Sequence, residues 1–295
     1  MKVSYTLLDV FTRERLSGNP LAVVRHADGL LDDQMQRIAR ELNLSETVFV
    51  QSPKTETHTA SVRIFTPRSE LAFAGHPTVG VAVALSLDSG VPIVRLEEKV
   101  GLITCVIDKI DKRTAHARFT LPHLPEVAGQ PPDRKTLALV LGLDLEDIGC
   151  GRFQPSIHTA GTIFYLVPVR NAQTLKRISP VTPAWADLFP LGHHSVYAFT
   201  ATPEERDNDF AARMFSPDMP LGEDPATGSA AAALIGPLAE EANPGQTNYV
   251  IRQGVEMGRP SRILVQLRKD GDTLVHGGIG GDAVVLGQGT LDLDA

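Results

Sequence analysis

Two stretches of the chain place polar side chains on glycine just ahead of a run of small apolar residues. Ala74-Gly75-His76-Pro77-Thr78 leads into Thr78 to Leu85, and Glu223-Asp224-Pro225-Ala226-Thr227-Gly228-Ser229 leads into Ala230 to Ile235. Each run reads as a helix, and a helix N-terminus carries unpaired N–H groups and a partial positive charge. Gly75 to Thr78 and Thr227 to Ala230 therefore read as two anion sockets, suited to the carboxylate of one small substrate. Thr227 and Ser229 fit equally well as ordinary N-caps. His76 can donate, accept or polarise a carbonyl near neutral pH, although a lone histidine is more often structural. Asp224 suits a hydrogen bond from a substrate amine or hydroxyl, while the pair Glu223-Asp224 is also comfortable simply as two acids beside a positive helix end. Glu46 is the remaining carboxylate of interest. In a partly apolar cleft its pKa would rise toward neutrality and let it carry a proton between two carbons; read alone, a solvated residue at a strand start is the plainer account.

Competing chemistry lacks its residues. No G-x-S-x-G elbow exists, and Gly222 to Ser229 has neither the lysine nor the glycine spacing of a phosphate loop. His193-His194 are adjacent and would point to opposite faces of a strand, which argues against a shared metal. Cys105 and Cys150, the 2 cysteines, match no zinc spacing and no disulfide framework, so no metal site is expected and a reducing cytoplasm fits. Asn43-Leu44-Ser45 matches a glycosylation pattern without a secretory signal beside it.

Several elements must position these groups. Val3 to Val10 and Leu21 to Val24 read as a hairpin around Ser17-Gly18-Asn19-Pro20. Asp32 or Asp33 can cap a helix carrying Met35, Ile38, Ala39 and Leu42 at helical spacing, ending near Asn43, with a strand from about Ser45 to Val50. Glu46 then sits at a helix-to-strand junction. Further strands are expected at 61–65, 93–96, 103–107, 116–121, 165–169, 195–200, 249–252 and 263–267, with a helix from Asp133 to Leu141. The proline-punctuated stretch Pro122 to Pro132 reads as a linker. Residues 276–293 read as glycine turns around a short strand, 283–286. Strands with few helices suggest α+β.

The two candidate sockets belong to an internal repeat. Phe65-Thr66-Pro67 precedes the first and Phe215-Ser216-Pro217 the second. An apolar helix of small residues must be buried, with sheet wrapped closely around it. The expected architecture is two similar halves, residues 1–122, completed by 276–295, and residues 123–275. The chain has 295 residues, with 28 Lys plus Arg against 35 Asp plus Glu and a net charge of −7, which gives no electrostatic reason to expect nucleic acid. The longest apolar stretch, Val79 to Leu87, is too short to cross a bilayer as a helix. A small molecule is the expected partner.

Taken together, Asn43-Leu44-Ser45-Glu46-Thr47-Val48-Phe49-Val50, Arg63-Ile64-Phe65-Thr66-Pro67, Ala74 to Thr78, Glu223 to Ala230 and Gly254-Val255-Glu256-Met257-Gly258-Arg259-Pro260-Ser261 resemble the PhzF family of phenazine biosynthesis proteins, and Gly18-Asn19-Pro20 fits as well. The resemblance covers nearly the whole chain. It implies a diaminopimelate-epimerase-like fold, two pseudo-symmetric halves each with a sheet curled around one helix, and an active site in the cleft between them. It further implies a homodimeric, cofactor-free isomerase resembling the enzyme that acts on trans-2,3-dihydro-3-hydroxyanthranilate. Carried over residue by residue, Glu46 is the acid/base, His76 and Asp224 are active-site groups, and Asn19, Gly75, Thr227, Gly228 and Ser229 contact substrate. Related epimerases use two cysteines at the helix starts, where this chain has Ala74 and Thr227, so two-thiol epimerisation is not expected. An amino-acid or hydroxy-acid epimerase and a non-catalytic ligand-binding protein remain the alternatives.

Overall fold

The structure is a computed structural model describing residues 2–189, 195–216 and 222–293. In chain order the elements begin with β1 (Lys2–Val10), β2 (Asn19–Val24), α1 (Asp32–Leu42), β3 (Glu46–Gln51), β4 (Ala60–Phe65), β5 (Glu70–Leu71), α2 (Gly75–Ser89), β6 (Ile93–Glu98), β7 (Gly101–Lys109) and β8 (Thr114–Thr120). They continue with β9 (Glu126–Gly129), α3 (Arg134–Leu141), β10 (Ser156–Thr159), β11 (Ile163–Pro168), α4 (Ala172–Arg177), α5 (Thr182–Leu188), β12 (Ser195–Ala201) and β13 (Phe210–Phe215). Last come β14 (Glu223–Asp224), α6 (Gly228–Glu241), β15 (Gly245–Gln253), β16 (Ser261–Asp270) and β17 (Thr273–Asp292). The chain divides into two compact units, Met1–Pro122 with Gly278–Ala295, and His123–Gly277.

The first unit is a closed barrel. Pairing runs β1–β2–β3–β4–β6–β7–β8–β17 and returns to β1, parallel only at β2–β3 and β4–β6. The two parallel steps need crossovers, which α1 and α2 supply. Helix α1 shows one apolar face: Met35, Ile38 and Ala39 pack with Val24, Phe49 and Phe65. Helix α2 packs against β1, β2, β3, β6, β7 and β8, and its residues from Gly75 to Ala84 are all buried. A helix ringed by strands has no room for large side chains. At Gly80 an added Cβ would collide with Leu21 and Val10.

The second unit repeats this logic. Strands pair in the order β9–β10–β11–β12–β13–β15–β16, with parallel steps at β11–β12 and β13–β15. Helices α4 and α5 lie in the first crossover and α6 is the second. Helix α6 packs on β9, β10, β11 and β16, with Ala230 to Ala233 fully buried. The repeat read from sequence is therefore structural: β4–β5–α2–β6–β7 and β13–β14–α6–β15–β16 share order and strand sense.

A clamp marks the same place in both repeats. Arg63 makes a two-pronged pair with Glu70, at 2.8 Å on each arm, and lies 5.1 Å from the Phe65 ring centre. Arg213 does the same with Glu223, at 2.8 Å on each arm, and lies 4.7 Å from Phe215. Each clamp ties the end of one strand to the short strand that leads into the central helix. Glu223 is thus a structural partner, which separates it from its neighbour Asp224.

Three expectations are corrected. The stretch Pro122 to Pro132 is not a bare linker, because β9 lies inside it and pairs with β10. The strand expected at 283–286 is present, but the residues flanking it are not turns: 276–292 all belong to the 20-residue strand β17, two of whose glycines mark close approach. A Cβ at Gly289 would come within 2.5 Å of the Tyr5 ring, and one at Gly280 within 3.0 Å of Arg118 Cβ. Neither Asp32 nor Asp33 caps α1; Leu31 holds the cap position, its N–H donates to Gln34 at 2.9 Å, and Asp32 pairs with Arg63. His193, His194 and Pro217 lie outside the described residues.

The enclosure of α2 makes a direct prediction. Gly80→Ala should lower stability by about 1–3 kcal/mol, as expected for overpacking a core. Gly287, with no atom within 4 Å of an added Cβ, is the control. Chemical denaturation of both variants should show a lowered midpoint for Gly80→Ala alone.

Candidate active site

Glu46 opens β3, three residues after the left-handed Asn43 (φ 49°) ends α1 and a short turn brings the chain into the barrel wall. It is 6 % exposed. His76, in the first turn of α2, is 3 % exposed, and its Nε2 lies 3.3 Å from Glu46 Oε2. That pair is close without being aligned as a hydrogen bond, and His76 Nε2 has no other partner among the described residues. Asn19, at the start of β2 and fully buried, places its Nδ2 3.2 Å from His76 Nδ1. An amide N–H can only donate, so Nδ1 accepts and the imidazole proton sits on Nε2, facing Glu46. Burial pushes His76 down to about 3, so the ring is neutral at physiological pH. Three residues singled out in the sequence, Asn19, Glu46 and His76, therefore meet at the start of α2, with Gly75 beside them.

The first turn of α2 leaves the N–H groups of Gly75 and His76 without acceptors in the helix. It is braced by a residue not anticipated from sequence. Thr78 Oγ1 lies 2.8 Å from the Ala74 carbonyl oxygen and 2.7 Å from Glu98 Oε1. A hydroxyl has one proton and the carbonyl can only accept. Burial pushes Glu98 up to about 8, so at neutral pH it keeps its own proton and donates to Thr78 while Thr78 donates to Ala74. Nothing in the sequence around Glu98 signals this, because its partner lies 20 residues earlier on another element.

In the second unit the structure gathers Asp224, Thr227, Gly228 and Ser229. Asp224 is 2 % exposed, and Thr227 Oγ1 donates to its Oδ2 at 2.6 Å. Thr227 occupies the N-cap position of α6 but makes no side-chain cap bond, so the ordinary cap reading fails for it. Gln253, unremarked in the sequence, organises the group: its Oε1 accepts the Thr227 N–H at 3.0 Å and its Nε2 donates to the Asp224 carbonyl at 2.7 Å and to Thr227 Oγ1 at 3.0 Å. Behind it, Ser261 Oγ reaches the Pro225 and Gln253 carbonyls at 2.7 and 2.9 Å. Gly254 (φ 77°) has to be glycine, since a Cβ would strike the Arg259 and Pro225 carbonyl oxygens. The run Gly254 to Ser261 is thus a brace for the Asp224–Thr227 loop. Ser229 is partly exposed and its hydroxyl makes no hydrogen bond among the described residues, and the Gly228, Ser229 and Ala230 N–H groups have no acceptor within α6. Tyr197, fully buried and with an unpartnered hydroxyl, is pushed up by burial and by the charge of Asp224.

Neither helix start carries a thiol. Cys105 lies buried in β7, where burial raises its pKa, and Cys150 precedes β10. Among the described residues no group of three or more His, Cys, Asp and Glu side chains can hold a metal ion, and no helix is long and apolar enough to cross a membrane.

The closed barrel around a small-residue helix is that of the diaminopimelate-epimerase-like fold, and relatives of the chain are named isomerases. Residues 8–289 match the sequence profile of the family described as phenazine biosynthesis-like protein, and the chain belongs to that family. Several relatives match over essentially the whole length, among them the following two. An uncharacterised isomerase from Mesorhizobium japonicum is 42 % identical, with 98 % of each chain covered. A trans-2,3-dihydro-3-hydroxyanthranilate isomerase from Pseudomonas chlororaphis is 34 % identical, covering 98 % of this chain and 99 % of that one. Among solved structures, a predicted epimerase from Pseudomonas aeruginosa superposes with a TM-score of 0.82 at 30 % identity, covering 99 % of both chains.

The Glu98 brace has a pH signature. Folding raises this acid from 4.5 to about 8, so the folded state holds the proton more tightly and the stabilising contribution is complete below about pH 4.5. It is lost as pH rises through that window to about 8. Glu98→Gln keeps a neutral donor and should flatten the fall in stability over that range. Urea midpoints at a series of pH values measure it.

Proposed function

We propose that the protein is a cofactor-independent isomerase in which Glu46 removes a proton from one carbon of a small cyclic amino or hydroxy carboxylic acid and returns it to another. The observation that carries this reading is the buried Glu46 carboxylate 3.3 Å from the Nε2 of a neutral histidine, at a helix start that lacks a thiol. A single carboxylate that acts first as base and then as acid can move a proton along a conjugated system without a second base. His76, with its Nε2–H held toward Glu46 by Asn19, is placed to donate to a carboxylate or to a developing substrate oxygen without adding a positive charge. Asp224, held by Thr227 and Gln253, is suited to accept from a substrate amine or hydroxyl. The unpaired N–H groups about Gly75 and Gly228, and the Ser229 hydroxyl, are suited to a substrate carboxylate.

The most specific substrate candidate is trans-2,3-dihydro-3-hydroxyanthranilate, the compound named for the Pseudomonas chlororaphis relative. Epimerisation is the second reading, since a solved relative at 30 % identity is called a predicted epimerase. Ala74 and Thr227 at the helix starts offer no pair of opposed thiol bases for it. In this reading the enzyme works in the cytoplasm as a homodimer on a small-molecule carboxylate, without nucleic acid or membrane as partner.

Glu46→Gln should reduce turnover of trans-2,3-dihydro-3-hydroxyanthranilate by about a hundredfold to ten-thousandfold, the usual worth of a general acid–base group. Affinity for a carboxylate product or analogue should stay within a few-fold. Absorbance kinetics and equilibrium binding on the same preparations check both, and a variant turning over at full rate would sink the mechanism.

A further inference from the structure

Strand register places Glu98 where the second unit has Gln253. Counted back from Phe65 and Phe215, the phenylalanines of the shared motif, Ala60 and Phe210 stand at the same point of β4 and β13, and their parallel partners are Leu96 and Ile251. Glu98 and Gln253 lie two residues beyond those partners, each the last residue of its strand. Both reach the start of their unit's central helix. Gln253 holds the α6 start through the Thr227 N–H, the Thr227 hydroxyl and the Asp224 carbonyl, while Glu98 holds the α2 start through Thr78. A carboxamide is neutral, and a glutamate matches it in shape and charge only with its proton on. The surroundings of Glu98 suit that form: it is buried, and its Oε2 has no hydrogen-bond partner among the described residues. An unpartnered carbonyl oxygen is tolerated there far better than half of an ionised carboxylate.

We propose that Glu98 in its acid form is a positioning residue for isomerisation, doing for the α2 start what Gln253 does for the α6 start. This role presupposes the isomerisation proposed above. Its route is a single peptide plane. The Ala74 C=O and the Gly75 N–H belong to one planar amide, so the Thr78 hydroxyl, 2.8 Å from that oxygen, also fixes where the Gly75 N–H points. That N–H is among the groups suited to the substrate carboxylate. While Glu98 donates to Thr78, the one hydroxyl proton of Thr78 is available to Ala74; an ionised Glu98 can only accept, and competes for the same proton. The Ala74 oxygen then keeps the Thr78 N–H alone, at 3.2 Å. Among the described residues, the strands around Glu98 bring no other charge inside the barrel. Beside it β4 turns Ala60, Val62 and Ile64 inward, β7 Ile103, Cys105 and Ile107, and β8 Ala115, Ala117 and Phe119. Of these only Cys105 titrates, and burial together with Glu98 pushes its thiol up. On α2, His76 is neutral and Asp88, at the far end, pairs with Arg25; Lys99, next to Glu98 in the chain, pairs with Glu70. Burial raises Glu98 to about 8, so the hold on the helix start weakens at mildly alkaline pH.

The test follows two quantities in the full-length protein from about pH 6 to about pH 9.5, a range that brackets the Glu98 transition. One is kcat/KM for trans-2,3-dihydro-3-hydroxyanthranilate; the other is the carbon-13 resonance of the Ala74 carbonyl, which needs no substrate. In the wild type both should change with a midpoint at about pH 8, kcat/KM falling about five- to tenfold, the worth of one hydrogen bond. Glu98→Gln, the conservative variant, should restore the neutral-pH rate to within a few-fold and lose both the alkaline fall and the carbonyl transition. Thr78→Val, which keeps the side chain's shape, should be slow by about the same five- to tenfold at every pH, with an Ala74 signal that no longer follows pH. A carbonyl transition that survives in Thr78→Val would show a field acting through space and overturn the proposal, as would an alkaline fall that persists in Glu98→Gln. Either result, with Glu46→Gln inactive, removes the positioning role and leaves the isomerase standing. Full turnover by Glu46→Gln removes the proposed isomerase mechanism, and this role with it.

Discussion

A helix that runs inside a ring of strands must be slim, and that steric constraint shapes everything else in each unit. Gly80 in α2 touches the space of Leu21 and Val10, and the four alanines from 230 to 233 in α6 are fully buried. Such helices give up the side-chain contacts that usually stabilise an amphipathic helix, and gain instead from complete enclosure. Their first turns, still unpaired, are then held in fixed positions by strand ends. The Arg63–Glu70 and Arg213–Glu223 clamps set the strands from which each helix departs.

Enclosure also explains why many of the polar groups at the helix starts are tied to specific partners. A buried polar group without partners is destabilising, and a buried charge more so. Asn19 orients His76, burial keeps that ring neutral, and the pair with Glu46 therefore avoids a buried histidinium. Glu98 is kept in its acid form against Thr78, and Asp224 is wrapped by Thr227 and the Gln253 brace. The two helix starts differ in composition. The first gathers a carboxylate and an imidazole, the second a carboxylate with hydroxyls and backbone donors. In the proposed function, that asymmetry and the missing thiols set the chemistry apart from symmetric two-base epimerisation.

The sequence carried the parts of this account that are local. Small-residue runs after Gly75 and Gly228 announce the enclosed helices, and the Phe-x-Pro repeat announces two related units. Glu46, His76 and Asp224 stand in short motifs with glycine or proline neighbours. What was not legible depends on pairing across long separations. Gln253 meets Thr227 from 26 residues away, and Glu98 meets Thr78 from 20. The repeated clamp hides because its glutamates fall at different distances from their arginines, 7 residues in one copy and 10 in the other. Glycines in β17 read as turns because the neighbours they make room for, Tyr5 and Arg118, belong to strands that pair only in the fold.

The central claim is that one carboxylate, Glu46, both takes and returns the proton. The most direct measurement is a single turnover in ordinary water of trans-2,3-dihydro-3-hydroxyanthranilate deuterated at the carbon that loses its proton. A buried Glu46 shielded from solvent predicts product that carries part of that deuterium at the newly protonated carbon of the same molecule. Product with solvent hydrogen only, accompanied by inversion at the original carbon, would contradict the claim and point to two separate bases.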